Sequence, residues 1–220
     1  MSSPPPTTRR LAALGLAAML ASPLLSLLMP SAQAATIIDE WATVQPPPAP
    51  ALKPATVDPK TTALLVLDVV PQTCNAERRP RCLATLPAIH GLLERARHAG
   101  MMVGYSLVPG STAATVLKEA APVGGELTVT SGPDKFLGTD LEARLKARGI
   151  KTVIAVGVAA QGVVLFTAEE AALRGFEVVV PVDGVSSDLP YAEQYLAWHL
   201  LNAPGVAGHV VLSRTDLVQF

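Results

Sequence analysis

The chain has few of the residues on which most metal and cofactor chemistry rests. Of its 220 residues two are cysteine and four are histidine. Cys74 and Cys82 are too far apart for a C-x-x-C redox motif, and without a histidine close by the four soft or imidazole ligands of a zinc site cannot be assembled. His90 and His98 share one predicted helix, while His199 and His209 lie near the end of the chain, so they form no ligand cluster. Gly157 stands outside any G-x-G-x-x-G spacing, which excludes that phosphate loop. Charged residues make up 16 % of the chain and no basic run occurs, so the electrostatic footprint of a nucleic-acid partner is missing. Neither a metal nor a cofactor is expected.

Apolar residues, by contrast, make up 50 %. The first apolar run is a leader: MSSPPPTTRR is followed by LAALGLAAMLASPLLSLLMP and by the small-x-small site Ala32-Gln33-Ala34. Residues 1–34 read as a removable signal, because Pro23, the serines and that site argue against a lasting anchor. Arg9-Arg10 resembles a twin-arginine export signal, although Ala12 and Ala13 stand where that pattern prefers Phe-Leu. A periplasmic or secreted protein follows, with no stable membrane anchor after processing. In such an oxidising compartment Cys74 and Cys82 are expected to form a structural disulfide. Residues 35–60 are rich in proline and predict an extended arm, whose Ile37, Ile38 and Trp41 are apolar enough to pack on the body or on a neighbouring subunit. Residues 61–220 make one domain.

Within that domain Ala63 to Leu67 is an apolar run ending in Asp68, as in a strand buried on both faces. Thr85 caps a predicted helix that is apolar at Ile89, Leu92, Leu93 and Ala96 and stops at Gly100. HAG before MMVGYS, ARG before IKTVIAV and LRG before FEVVVPV repeat one grammar of helix end, glycine and buried strand. Ala113–Ala120 reads as a short helix, Glu126–Thr130 as a short strand and Leu141–Arg148 as a helix. After the strand Thr152–Val156 and the turn at Gly157, a helix runs from Gln161 to Gly175. Ser187 or Asp188 caps a further helix through YAEQYLAWHLL, and His209–Leu212 is a last strand. The pattern predicts an α/β protein, a three-layer α/β/α sandwich around a mostly parallel, Rossmann-like sheet of about six strands.

Ligands of such sheets bind outside the carboxyl ends of the strands. Asp68 occupies that place and is the first candidate for an acid or base, against the competing role of a loop cap. Asp183 belongs to an Asp-Gly turn and reads as structural. Lys135 follows a Gly-Pro turn, where a lysine is ordinarily exposed. Residues 157–163, between a strand end and a helix start, offer a second place for a ligand.

LLVLD, GVAAQGVVLFTAEEAALRG and VVVPVDG, in this order, resemble the isochorismatase-like superfamily, which includes cysteine hydrolases such as nicotinamidases. FLGTDLEARLKARGIKTVIAVGV is similar to that family's stretch before its nucleophile turn. The resemblance implies a catalytic Asp at Asp68 and a cis peptide at Val158-Ala159. With Phe136 as the anchor, the family's Lys falls on Thr130, leaving Lys135 as the nearby cation. The cysteine nucleophile falls on Val163, which has no nucleophilic atom, so a covalent thioester is excluded there. Gln161 and the backbone of Val158 and Ala159 are implied as polar lining. Val69, Val70 and Pro71 replace the histidine of the metal-binding branch. A branch similar to true isochorismatases needs no cysteine: its Asp helps to protonate a vinyl ether and water completes the hydrolysis. The resemblance thus implies an exported hydrolase of a small molecule, acting without a covalent intermediate through Asp68 and Lys135. The alternative is an inactive binding or scaffolding protein that retains the fold, and a homo-oligomer is implied in both cases.

Intact mass of the exported protein is expected to place its N-terminus at Ala35. Another start, or full-length chain retained in membranes, contradicts the cleavage reading.

Overall fold

A strand buried on both faces needs apolar side chains pointing both ways, and the segment before Asp68 supplies them. The computed structural model describes residue 1 and residues 34–220, so the signal segment lies outside the described residues apart from its two ends. The chain divides into two units, Met1–Gln45 and Pro46–Phe220. In the first, the single helical turn α1 (Ile37–Glu40) is tied at its start by Thr36, whose N and Oγ1 donate to Asp39 Oδ2 at 2.8 and 2.9 Å. Ile37 and Ile38 belong to this turn, and Trp41 ends it.

The second unit runs β1 (Ala55–Thr56), β2 (Thr62–Leu67), α2 (Pro80–His98), β3 (Met102–Leu107), β4 (Leu127–Thr130), α3 (Leu141–Ala147), β5 (Thr152–Val158), α4 (Leu165–Leu173), β6 (Glu177–Pro181), β7 (Val185–Ser186), α5 (Pro190–Asn202), β8 (Val210–Ser213) and β9 (Val218–Gln219). It starts inside the expected arm: Lys53 N donates to Leu212 O at 2.9 Å, and β1 pairs with β9. The main sheet is parallel and seven-stranded, in the order β4-β3-β2-β5-β6-β8, with the short β7 also paired to β5. β7 is the strand added to the expected six, formed by the end of PVDGVSS.

Alternation along β2 divides the core. Ala63, Leu65 and Leu67 face the layer of α3, α4 and α5, with Leu145, Ala168 and Leu200, whereas Leu64 and Val66 face Ile89, Leu92 and Leu93 of α2. Burial of each such leucine stabilises by about 1.5–3 kcal/mol. Because β2 has β3 on one side and β5 on the other, the connections leave in opposite directions at its carboxyl end, which opens a crevice there.

Three local expectations are corrected. The helix α2 starts at Pro80 and not at Thr85, and Pro87 lies inside it. Pro80 suits a first helical position. Pro87 and Leu83, whose carbonyl loses the Pro87 donor, are on the exposed face. Ala113–Ala120 is not one helix but two short 3-10 turns, Ala113–Thr115 and Lys118–Ala120. Neither Ser187 nor Asp188 caps α5, which starts with Pro190 after Leu189. Ser187 Oγ instead donates to Gln161 Oε1 at 2.5 Å and to Asp188 Oδ1 at 2.7 Å.

Two features shape the crevice. Cys74 and Cys82 form a disulfide with a Cα separation of 5.4 Å, closing a short loop after β2 that contributes roughly 2 to 3 kcal/mol on a chain-entropy account. At Gly157 φ is +132°, and a Cβ there would lie 2.1 Å from Leu67 O. Glycine is required for β5 to pass so close to the end of β2. The variant Gly157→Ala is expected to lose about 3 kcal/mol of stability or to fail to fold, read by urea unfolding. Unchanged stability would contradict this close approach.

Candidate active site

β2 ends by turning its next residue, Asp68, into the left-handed region at φ 54°, the one non-glycine residue with positive φ among the described residues. Asp tolerates this conformation better than most residues, yet it carries a strain that the surroundings must hold. They do so from both sides. Asp68 N donates to Ser106 O at 3.1 Å, Val70 N donates to Asp68 O at 2.9 Å, and the Thr73 hydroxyl closes on the same carbonyl.

The side chain is 7 % exposed. Its Oδ1 accepts from Ser106 Oγ at 2.7 Å and forms an ion pair with Lys135 Nζ at 2.9 Å. Oδ2 has no partner among the described residues. Lys135 is fully buried at 0 % exposure, against the expectation of an exposed loop lysine. Besides the ion pair with Asp68, its ammonium donates to Ser131 O at 3.1 Å and to Leu107 O at 3.4 Å, two acceptors that stand in for water. A buried ion pair is tolerable under this condition, because desolvation of the charges is offset only when their remaining donors and acceptors are satisfied.

The pair stands at a cavity of about 260 Å³ whose wall includes Asp68, Thr73, Arg79, Ser131, Val158 and Val163. These residues lie just beyond the carboxyl ends of β2, β4 and β5, on the disulfide loop and on the turn after β5. That turn has a cis peptide at Val158-Ala159, followed by a wide helical turn at Ala160–Val164 that leads into α4. A larger cleft of about 600 Å³ opens around Met102 and Leu127, at the amino ends of β3 and β4. Open α/β sheets bind their ligands at the other edge, which favours the smaller cavity.

The structure brings together some of the residues named from the sequence and separates others. Asp68, Val158, Ala159 and Val163 share the cavity, and Lys135 lies behind Asp68. Thr130, onto which the lysine position was projected, is exposed at the end of β4 and does not line the cavity. The chain curls back after it, with Ser131 Oγ donating to Asp134 O at 2.9 Å, so the Lys135 side chain returns to the strand ends that Thr130 has just left. Phe136 is a core residue, stacked on Phe176 at 6.1 Å beneath the Arg174 guanidinium. Gln161 lines a different groove, with Leu165, Phe166 and Tyr191. Asp183 accepts from Thr215 N at 2.8 Å and Thr215 Oγ1 at 2.7 Å, a structural role.

Sequence reasoning missed Ser106 and Arg79. The signal for Ser106 was a small hydroxyl beside Tyr105 in the otherwise apolar strand MVGYSL, whereas Arg79 gave none, being one arginine among several in a polar loop. Among the described residues no three His, Cys, Asp or Glu side chains converge as metal ligands.

Known proteins share this fold and parts of this sequence. The chain is 28 % identical over 176 residues to the secreted isochorismatase effector Isc1 of Verticillium dahliae, covering 73 % of this chain and 93 % of that protein. It is 30 % identical over 127 residues to N-carbamoylsarcosine amidase of Arthrobacter, covering 54 % of this chain and 47 % of the amidase. The fold matches that of an isochorismatase family protein from Burkholderia thailandensis with a TM-score of 0.65 at 20 % identity, over 76 % of this chain and 97 % of the other. Residues 62–213 match the isochorismatase domain, and the chain belongs to the isochorismatase family.

Proposed function

We propose that this protein is an exported hydrolase of a small molecule that works by acid/base chemistry through Asp68, without a covalent enzyme intermediate. The observation that carries this reading is the Asp68–Lys135 pair at 2.9 Å beside a cavity, with Oδ2 unpartnered and Val163 where a nucleophile would stand. Lys135 and Ser106 both hold Oδ1, which fixes the carboxyl group and leaves Oδ2 to exchange a proton with the substrate. For a vinyl ether, Asp68 in its protonated form gives its proton from Oδ2 to the vinyl carbon, water adds to the oxocarbenium carbon and returns a proton to the carboxylate, and the resulting hemiketal separates into a carbonyl compound and an alcohol. For an amide the same carboxylate would take a proton from the attacking water. The buried ammonium of Lys135 stands against Asp68, where it favours the carboxylate that takes a proton from water in amide hydrolysis, or that forms when Asp68 gives its proton to a vinyl ether. Export is supported by the disulfide and by the secreted relative.

The test is turnover of a panel of small amides and vinyl ethers by the mature protein. Asp68→Asn is expected to lose roughly a hundredfold or more in kcat while circular dichroism shows a folded protein, and Lys135→Met a comparable factor. The double variant Cys74→Ser, Cys82→Ser is expected to keep the chemical step. Full activity of Asp68→Asn, or a folded but inert double serine variant, would refute the mechanism. Ligand-induced stabilisation without any turnover would favour a binding protein instead, the reading that Val163 invites.

A further inference from the structure

We infer that the cavity beside Asp68 recognises a carboxylate, and that Arg79, presented by the disulfide-closed loop, is the residue that selects it. The inference rests on the reading of this cavity as the substrate site and names its substrate class.

The charges of the cavity do not balance without a ligand. Asp68 is already matched by Lys135 at 2.9 Å. Arg78 and Arg79, both on the cavity wall, remain as further cations, and neither takes part in an ion pair among the described residues. Arg78 is exposed and water can serve it. Arg79 is not in that position: it is 9 % exposed, its buried Nε has no hydrogen-bond partner, and its Nη1 makes one long bond of 3.3 Å to Thr73 O. A guanidinium offers five donors in a planar fork, and leaving the buried Nε–H of Arg79 idle is costly. Burial and the neighbouring Arg78 cation hold the Arg79 pKa below its ordinary value, with the more distant Asp188 acting in the opposite sense. A carboxylate matches both the missing charge and the shape of the fork.

The loop is built to hold this arginine still. Arg79 N donates to Asn75 O and Cys82 N donates to Arg79 O, each at 3.0 Å, while Asn75 Oδ1 accepts from Glu77 N at 3.1 Å and from Arg78 N at 2.8 Å. The Cys74–Cys82 bond closes the same segment. Arg79 also precedes the first turn of the 19-residue α2, where the positive end of the helix dipole favours an anion. Such preorganisation lowers the ordering cost of binding. The volume of about 260 Å³ suits a ligand of about one ring.

Benzoate and benzamide share that size and differ in charge, so calorimetry with each on the mature protein tests the inference without any turnover. Benzoate is expected to bind roughly tenfold tighter or more, the range of a charge-assisted pair. Arg79→Gln should weaken benzoate by about the same factor and change benzamide by less than about twofold, while Arg79→Lys keeps part of the preference. Equal affinities, binding of neither probe, or unchanged benzoate affinity in Arg79→Gln would overturn the inference. The wild-type comparison decides the question even if Arg79→Gln fails to fold. A protein that prefers benzoate yet turns over nothing would defeat the hydrolase reading alone. One that hydrolyses neutral compounds and shows no preference for the acid would defeat the anion site alone.

Discussion

A carboxylate and an ammonium group buried together at the end of the central strand impose the strictest condition on this fold. Neither charge is stable there by itself, and removal of one partner from such a pair ordinarily costs about 3–5 kcal/mol. Each remaining acceptor or donor around Asp68 and Lys135 comes from a strand end or the loop just beyond it: Ser106 and Leu107 from β3, and Ser131 from the residue after β4. The register of β2, β3 and β4 is therefore tied to the satisfaction of one ion pair. Leu67 stands opposite Ser106, and Leu107 opposite Thr130, so the polar groups reach a common level where the apolar rows stop.

The fourth contributor, β5, shapes space and supplies no charge. Gly157 lets its backbone pass against Leu67, and the cis peptide and wide turn that follow bring Val158, Ala159 and Val163 to the cavity. A valine at the position of the nucleophile makes that wall apolar. In the proposed mechanism the chemistry comes from the other wall, where Asp68 stands.

The layers and strands were legible in the sequence because their causes are local: apolar runs of strand length, and a glycine just after α2, α3 and α4 at Gly100, Gly149 and Gly175. The start of α2 was less so, since Thr85 and Pro80 both offer plausible beginnings and tertiary packing decides between them. Asp68 was legible from its place alone. Lys135 was legible as the nearby cation but not in its burial: counting along the chain projects the lysine onto Thr130, whereas a curled loop and a long side chain bring Lys135 back to Asp68. Ser106 and Arg79 depend on contacts between segments far apart in sequence or on the inward turn of one arginine, and neither leaves a periodic trace.

The most direct measurement of the central claim is a double-mutant cycle on the buried pair, read by urea unfolding of the mature protein. If the two charges act as one unit, Asp68→Asn and Lys135→Met each cost about 3–5 kcal/mol, and the combined variant recovers much of that loss because no unpaired charge remains. Losses that simply add would contradict the account.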